Sequence, residues 1–294
     1  MHTSSKAKKE LKSFLFVLPH LILFFVFGFL PILFGFYISF TRWDLSGIPQ
    51  WVGLANYQEI LFNMDSTFHF QFFNGMKNTF IFVILTVPLL ILIPLLLALA
   101  MSARIRGTGF FQAVFYVPGL FSISAIAIIW LLVFNRRIGP INNLFHMDVV
   151  WTTTQPYAWI LILIVTAWAG LGGNMIIYRA AISGIPGELY EAAQIDGANS
   201  FRRFMAITLP GIRFQLLYTL VMTTLGSFGV YGQPRMLTDG GPVQSTTSIM
   251  MYIRELAFSS GKSIAGMGSA MAILLGILML IITAFQFRLM GKDE

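Results

Sequence analysis

The chain has 294 residues, of which 56% are hydrophobic and only 11% are charged. Its mean hydropathy is +0.76, and a water-soluble domain could not bury that much apolar surface, so an integral membrane protein is indicated. The absence of cysteine excludes disulfides, thiolate metal sites, iron–sulfur clusters and thiol nucleophiles. The net charge of +7 fits either a nucleic-acid partner or basic residues collected on one side of a bilayer, and its distribution along the chain separates the two.

Hydrophobic stretches long enough to cross a bilayer recur along the chain. A helix needs about 20 mostly apolar residues to cross about 30 Å of hydrocarbon. The stretches that meet this requirement are residues 14–40, 79–101, 109–134, 158–178, 212–230 and 265–287. We therefore predict an all-α membrane protein with six transmembrane helices. Residues 41–74 are then an outer loop, residues 75–288 are the transmembrane core, and residues 1–13 and 289–294 are cytoplasmic tails.

Basic residues in the loops set the predicted orientation. With the N-terminus inside, the inner segments hold 12 of the 19 Lys and Arg residues: Lys6, Lys8, Lys9, Lys12, Arg104, Arg106, Arg179, Arg202, Arg203, Arg213, Arg288 and Lys292. This bias predicts that both termini are cytoplasmic, although Arg136 and Arg137 on an outer loop depart from it. The basic charge is thus explained by membrane topology, and a nucleic-acid partner is not supported.

The predicted spans carry no acidic or basic residue away from their inner ends. Ion-coupled carriers usually retain such groups, each at a cost of at least ~2.5–3.5 kcal/mol at a helix centre. The chain also lacks the G-x-x-x-x-G-K-[ST] loop that cradles nucleotide phosphates. We therefore predict a non-catalytic membrane subunit with no metal or cofactor of its own, whose energy for uphill transport comes from a partner.

A polar segment lies between the fourth and fifth spans, where residues 188–211 read ELYEAAQIDGANSFRRFMAITLPG. Pro186 suits the start of a helix, and Gly197 fits a left-handed cap at its end. Asn199 or Ser200 can cap a second helix. The pattern predicts two short helices joined at a glycine elbow, which we call the knob (residues 182–211). Its short apolar strips favour docking of a soluble partner, and an amphipathic segment lying on lipid headgroups is the alternative.

The knob resembles the EAA loop of bacterial ATP-binding-cassette (ABC) importer permeases, whose pattern is E-A-A-x-x-D-G-A followed by F-x-x-I-x-L-P. The matching positions are Glu191, Ala192, Ala193, Asp196, Gly197, Ala198, Phe204, Ile207, Leu209 and Pro210. In that family the loop forms coupling helices that sit in a cleft of the ATP-hydrolysing subunit. The resemblance therefore implies an ATPase-coupling role for these residues.

Further fragments resemble the carbohydrate-uptake permeases of the maltose, multiple-sugar and glycerol-phosphate group. They are WVGLANYQEIL from Trp51, FFNGMKNTF from Phe72, RGTGFFQAVFYVPGL from Arg106, IWLLVFNRRIGPINNLF from Ile129 and MLTDGGPVQSTTSIMMYIRELAF from Met236. One departure is Gln112, where the group usually has arginine or a similar residue. Five fragments in the right order around an EAA loop make the resemblance specific.

The resemblance implies a type I importer permease fold in the plasma membrane of a bacterium. It also implies the partners: a second permease subunit in a heterodimer, two ATPase subunits that bind ATP and Mg²⁺, an extracytoplasmic sugar-binding protein, and membrane lipid. The expected cargo is an oligosaccharide or related sugar. The competing hypotheses are a self-sufficient carrier or facilitator, and a membrane scaffold with no transport role.

Polar groups within or at the ends of spans four and five form a candidate substrate path. They are Asn174, Ser227 and Tyr231. Hydrogen-bonding groups beside aromatic faces suit a sugar, while bonding between helices is the commoner use of such residues. The Gly240-Gly241-Pro242 turn likewise has two interpretations, support for docking of the binding protein or simple shaping of the outer loop.

Overall fold

The computed structural model describes residues 3–102, 107–259 and 264–290, with side chains from residue 14 to 288 in these ranges. Of the predicted inner basic residues, Arg104, Arg106 and Lys292 lie outside the described residues. The chain folds as two compact units. Unit 1 comprises Met1–Phe70 and Ile253–Gly276, and unit 2 comprises Gln71–Tyr252 and Ile277–Glu294.

The described residues are mainly helical. In chain order the α-helices are α1 (Thr3–Phe24), α2 (Leu30–Ser39), α3 (Ala55–Phe62), α4 (Thr67–Ser102), α5 (Thr108–Tyr116), α6 (Ile123–Val133), α7 (Pro140–Leu144), α8 (Tyr157–Ser183), α9 (Gly187–Ile195), α10 (Ser200–Arg203), α11 (Leu209–Gly211), α12 (Arg213–Phe228), α13 (Gly232–Leu237), α14 (Ile249–Phe258) and α15 (Ala265–Met290). Single π-helical turns occupy Phe25–Phe29 and Phe204–Thr208, and a 3₁₀ turn occupies Val117–Leu120. Two short strands, β1 (Thr41–Arg42) and β2 (Gln50–Trp51), pair antiparallel.

Among the described residues, four helices are long and apolar enough to cross a membrane, and they are Phe14–Ser39, Thr67–Ser102, Tyr157–Ser183 and Ala265–Arg288. Counting each of two bent helix pairs as one span brings the number of crossings to at most six, the predicted number. Thr108–Leu120 meets Ile123–Val133 at 104°, and Ser200–Gly211 meets Arg213–Phe228 at 70°.

Two predicted boundaries differ from the structure. The stretch 109–134, predicted as one span, is broken because Phe121 is extended and the Ser122 side chain caps the next helix by accepting from the Ala125 N–H. The predicted outer loop 41–74 is shorter than expected because α4 already begins at Thr67. Prolines within α4 leave it continuous, as membrane helices permit when neighbours satisfy the freed carbonyl groups.

In unit 1, a buried asparagine fastens the β-hairpin to the helix before it. The Asn56 amide nitrogen donates to the carbonyl oxygens of Ser39 and Thr41, each at 2.9 Å. Gly266 lies so close to this hairpin that an added Cβ would stand 1.9 Å from the Thr41 carbonyl oxygen. Any larger side chain at Gly266 would therefore push the hairpin away.

In unit 2, α8 is the central helix and contacts α5, α6, α12 and α13. One buried cluster gathers around Leu161 and Val165 near its start, and another gathers around Met175 and Ile182 near its end. Between the two clusters, residues 169–174 read AGLGGN. This glycine-rich stretch places little side-chain volume at the middle of α8, which leaves room for a cavity beside the helix.

Arg136, which departs from the charge bias, is paired within its own loop. Its guanidinium donates to both carboxylate oxygens of Asp148, at 2.5 and 2.6 Å. This bond holds the pKa of the Asp148 carboxyl below its usual range. Because both groups are exposed, the pair contributes little to stability. Asp148 offsets the charge of Arg136 on this loop.

Candidate functional site

The knob contains the predicted pair of short helices and the glycine elbow. Gly197 has φ +76°, the left-handed conformation expected for it. The Gly197 N–H donates to the Gln194 carbonyl at 3.1 Å, and the Ala198 N–H donates to the Ala193 carbonyl at 2.9 Å. Together these bonds form a Schellman cap that ends α9. Asn199 then starts α10, since its side-chain oxygen accepts from the Arg202 N–H at 2.8 Å.

Predicted coupling residues occupy the exposed side of this knob and its junction with α12. Those on α9 and its cap are Glu191, Ala192, Ala193, Asp196, Gly197 and Ala198, of which Ala193 and Ala198 are half-buried and the others are exposed. Phe204 is half-buried at the start of a π-helical turn, and Pro210 lies in α11. The structure thus brings all eight residues into one segment.

Large apolar side chains project from the knob into the surroundings. Ile195 is 88% exposed and Phe201 is 72% exposed, with Leu189 and Met205 about half exposed. The Tyr190 hydroxyl and the Thr208 hydroxyl hydrogen-bond at 3.0 Å and tie α9 to the turn before α12. An apolar patch on such a tied, otherwise polar segment is typical of a protein-docking surface.

A groove of about 820 Å³ lies beside the knob, lined by the ends of α4 and α8 and by the knob itself. Glu191, Arg179 and Arg203 are among its lining residues. Arg179 donates to the Gln112 side-chain oxygen and, at 3.3 Å, to the Thr108 hydroxyl. Gln112, the departure from the family pattern, therefore joins α5 to the end of α8 that lies beside the knob.

The three candidate path residues line one cavity in unit 2. Asn174, Ser227 and Tyr231 all face a cavity of about 580 Å³ between α4, α6, α8 and α12. Other polar lining residues are Thr166, Thr223 and Gln233, and the aromatic ones include Phe82 and Phe121. No Asp, Glu, Lys, Arg or His occurs among the described residues that line it. The cavity thus combines hydroxyl and amide groups with aromatic rings and no formal charge.

Asn174 also bonds neighbouring helices, as the alternative interpretation expected. Its amide nitrogen donates to the Leu90 carbonyl at 2.8 Å and to the Thr223 hydroxyl at 3.1 Å. The Leu90 carbonyl lacks its helical partner because Pro94, four residues on, has no N–H. Asn174 therefore satisfies a carbonyl group that the proline leaves free, and its remaining surface still faces the cavity.

Two polar contacts one helical turn apart join α8 to α12. Asn174 donates to Thr223, and one turn nearer the knob the Tyr178 hydroxyl bonds the Thr219 hydroxyl at 2.6 Å. These two contacts therefore join α8 and α12 along the stretch between the cavity and the knob.

Glycines are the cavity residues that sequence reasoning missed. Six of them line it: Gly119, Gly170, Gly173, Gly226, Gly229 and Gly232. Glycine inside a helix is unfavourable by about 1 kcal/mol relative to alanine. The three that lie inside α8 and α12, Gly170, Gly173 and Gly226, are therefore the signal that could have located the cavity. At Gly173 and Gly226 an added Cβ would meet nothing within 4 Å, whereas at Gly172 it would lie 2.5 Å from the Tyr116 Cα. Gly173 and Gly226 keep the cavity open, and Gly172 permits the end of α5 to lie close against α8.

Among the described residues, no group of three or more His, Asp or Glu side chains is arranged to hold a metal ion. The candidate site thus consists of a cavity with polar, uncharged lining residues and an exposed knob, joined by two helices.

Comparison with known proteins gives consistent matches over the whole chain. The family described as binding-protein-dependent transport system inner membrane component matches residues 60–291. The probable ABC transporter permease protein YesP of Bacillus subtilis (strain 168) is 31% identical, over 96% of this chain and 91% of that protein. The trehalose/maltose transport system permease protein MalF of Thermococcus litoralis is 34% identical, over 97% of this chain and 96% of that protein.

A solved structure has the same fold. The chain superposes with a TM-score of 0.77 on a chain of a bacterial ABC transporter involved in the import of the acidic polysaccharide alginate. The match covers 100% of this chain and 99% of the other at 23% sequence identity. The chain thus has the overall fold of that transporter's chain.

Proposed function

The chain belongs to the family of binding-protein-dependent transport system inner membrane components, and we propose that it is one permease subunit of a bacterial ABC importer for a neutral oligosaccharide. Family membership makes it a multi-pass protein of the bacterial plasma membrane. The proposal adds the chemistry of the cargo, the coupling surface and the orientation.

The uncharged cavity is the observation that carries the proposed cargo. Sugars are bound by hydrogen-bonding groups placed beside apolar and aromatic surfaces, which is the combination that Asn174, Ser227, Tyr231 and Phe121 offer here. A phosphate or uronate group would lose hydration in this space without gaining a cation. The relatives do not carry this point, because the trehalose/maltose permease is named for uncharged sugars and the transporter with the same fold is named for an acidic polysaccharide.

Coupling is proposed to run through the knob. ATP and Mg²⁺ would be bound by two partner ATPase subunits, and the exposed apolar side chains around Ile195 and Phe201 would dock on them. Movement of the knob would then tilt α8 and α12 together and open the cavity to one side or the other. The chain itself carries out no bond-breaking step, so it acts as a gated path and not as an enzyme.

The complete importer is proposed to contain a second, different permease subunit and an extracytoplasmic sugar-binding protein. The knob and both termini would be cytoplasmic, as the distribution of Lys and Arg predicts. The second permease would close the cavity, which a single subunit leaves open, and lipid would cover the exposed apolar faces of the long helices.

Uptake by the reconstituted complex tests the proposal. We expect liposomes that contain both permeases and the ATPase subunits to accumulate a labelled neutral oligosaccharide only with internal ATP and external binding protein. A uronate oligosaccharide of the same length should neither be accumulated nor compete. Transport by this chain alone without ATP would favour the self-sufficient carrier, and preference for the anionic sugar would contradict the neutral cavity.

Single thiols test the orientation, because the chain has no cysteine of its own. Ile195 in the knob is 88% exposed and Val243, beyond α12, is 98% exposed. In intact spheroplasts we expect a membrane-impermeant maleimide to label Val243→Cys, and to label Ile195→Cys only after the membrane is opened. Labelling of Ile195→Cys in intact spheroplasts would place the knob outside and remove the coupling proposal.

A further inference from the structure

A second cavity, of about 850 Å³, lies within unit 1 between the β-hairpin, α3 and the start of α15. We call it the hairpin cavity. The charged and amide side chains that line it are Arg42, Asp44, Gln50, Asn56 and Glu59. None of them belongs to the candidate substrate path or to the knob, so this cavity needs an explanation of its own.

Charges of opposite sign line the hairpin cavity without pairing across it. Arg42 is the cation among the described lining residues, and Asp44 and Glu59 are the anions. No ion pair or hydrogen bond joins the Arg42 side chain to a described residue. The Asn63 amide nitrogen donates to a Glu59 carboxylate oxygen at 3.0 Å, and this bond holds the pKa of Glu59 below its usual range. The cavity therefore offers a ligand both a positive and a negative charge at neutral pH.

Hydrogen bonds hold the walls of the cavity in place. Besides the two bonds from Asn56 to the main chain around the hairpin, the Thr41 hydroxyl donates to the Ile38 carbonyl at 2.8 Å. The Ser39 and Tyr57 hydroxyls bond each other at 2.6 Å. These bonds tie β1 and α3 to the end of α2, so the cavity is formed before a ligand binds and little ordering entropy is lost on binding.

The hairpin cavity adjoins the apolar surface of the first membrane crossing. Strand β1 begins at Thr41, directly after the crossing Phe14–Ser39, so the hairpin lies at a membrane surface in either orientation of the chain. Trp43 lines the cavity and packs edge-to-face against the exposed Phe34 ring, at a centroid distance of 6.2 Å. Ile48 also lines it and is 89% exposed. Tryptophan is enriched where headgroups meet hydrocarbon, which is the position that this arrangement indicates.

The charges select the chemical class of the ligand. An inorganic anion would be attracted by Arg42 but repelled by Asp44 and Glu59. Among the described residues no group of three or more His, Asp or Glu side chains is arranged to hold a metal ion. A neutral sugar would leave both signs of charge without a partner. A ligand with a phosphate and an ammonium group satisfies both, and one that also carries acyl chains covers the adjoining apolar surface.

We propose that the hairpin cavity binds the headgroup of a phospholipid with a primary ammonium group, such as phosphatidylethanolamine. The Arg42 guanidinium donates to the phosphate oxygens, and the Glu59 carboxylate accepts from the ammonium group. The acyl chains lie along Phe34 and the first crossing. Because Met267 also lines the cavity, the bound lipid links the first crossing to the start of α15. This inference depends neither on the proposed cargo nor on coupling through the knob.

Lipid binding to the purified, delipidated full chain tests the headgroup chemistry. By native mass spectrometry we expect the wild type to bind phosphatidylethanolamine about tenfold more tightly than phosphatidylcholine, whose ammonium has no N–H, or phosphatidylglycerol, which has no ammonium. Glu59→Gln should abolish this preference, whereas Arg42→Gln should weaken the binding of all three lipids by a similar factor. Asp65→Asn and Arg137→Gln are the matched controls, since both residues are exposed outside the cavity lining, and both should keep the wild-type preference.

Three results of this measurement would overturn the proposal. Equal binding of the three lipids by the wild type would remove the headgroup site. Binding of soluble glycerophosphoethanolamine as tight as that of the lipid would identify a free phosphate compound, and not a lipid, as the ligand. Displacement of the lipid by a neutral oligosaccharide would make the cavity a sugar site.

Thermal unfolding separates loss of the site from misfolding. Arg42→Gln removes no contact with a described residue, so we expect the wild-type midpoint in the absence of lipid. Phosphatidylethanolamine should raise the midpoint of the wild type, as a ligand that binds only the folded state does. It should raise the midpoint of Glu59→Gln no more than phosphatidylglycerol does. An equal rise in Glu59→Gln and the wild type would contradict the role of this carboxylate.

A single thiol locates the site on the chain, which has no cysteine of its own. Ile48→Cys places a thiol in the cavity lining, and its reaction with a bulky maleimide is expected to abolish the preference for phosphatidylethanolamine. Met64→Cys is the control, because Met64 is 82% exposed and lies outside the lining. An unchanged preference after modification of Ile48→Cys would overturn the assignment of the lipid to this cavity.

Discussion

Replacing Gly197 by valine is expected to reduce ATP-driven sugar uptake by about tenfold or more while the chain still inserts in normal amounts. Gly197 has φ +76° at the elbow of the knob, where a residue with a Cβ is disfavoured by about 1–2 kcal/mol and a β-branched one by more. The substitution would break the Schellman cap and let α9 and α10 change their relative angle. Because the spans are untouched, the loss should appear in transport and not in insertion.

Gly187→Val is the matched control for the elbow. Gly187 begins α9 in the same knob, its φ is not in the left-handed region, and an added Cβ meets nothing within 4 Å. Its uptake should stay within about twofold of wild type, as expected for a surface substitution that disturbs no special feature. Equal losses in both variants would mean that bulk on the knob, and not the elbow, is responsible.

Glu191→Lys provides a second test of the same surface through charge. Glu191 is exposed on α9 and lines the groove beside the knob together with Arg179 and Arg203. A lysine there adds a third positive charge to this groove, and we expect uptake to be lost while the knob keeps its fold. Undiminished uptake in both Glu191→Lys and Gly197→Val would remove the knob from the coupling path.

Local features of the knob could be predicted from sequence because each depends on one or two neighbouring residues. The left-handed Gly197 and the Asn199 cap follow from backbone sterics and from the free N–H groups at a helix start, and both are present as predicted. The number of crossings also follows from hydrophobic length alone, since bilayer thickness sets it. These features need no knowledge of tertiary contacts.

Features that depend on packing could not be predicted. The break after Leu120 required knowing that the chain turns by 104° there, while the hydropathy of residues 109–134 is continuous. The sequence did not decide the role of Asn174, because a residue that bonds to another helix and a residue that faces a sugar cavity are both expected to be polar. The structure shows both uses at once, since Pro94 on a distant helix creates the free carbonyl group that Asn174 satisfies.

Filling the cavity from one of its glycines is expected to block transport without disturbing the fold. Gly226 lies on α12, lines the cavity, and has nothing within 4 Å of an added Cβ. The leucine side chain of Gly226→Leu would therefore project into space that the sugar must occupy. We expect uptake to fall by about tenfold or more, the size of effect that misfitting methylene groups produce in closed sites.

The ATPase activity of the same complex distinguishes a blocked substrate path from a general loss of transporter function. The knob and the Tyr178–Thr219 contact lie away from Gly226, so ATP hydrolysis stimulated by the binding protein should persist in Gly226→Leu while uptake is lost. Gly109→Leu, on the exposed side of α5 and outside the cavity lining, should retain both activities. If Gly226→Leu transports normally, the cargo passes elsewhere, and the three polar residues are helix-bonding groups only. If uptake and hydrolysis are lost together, the substitution has disturbed the joined pair of helices, and the cavity must be tested instead from Gly173 on α8.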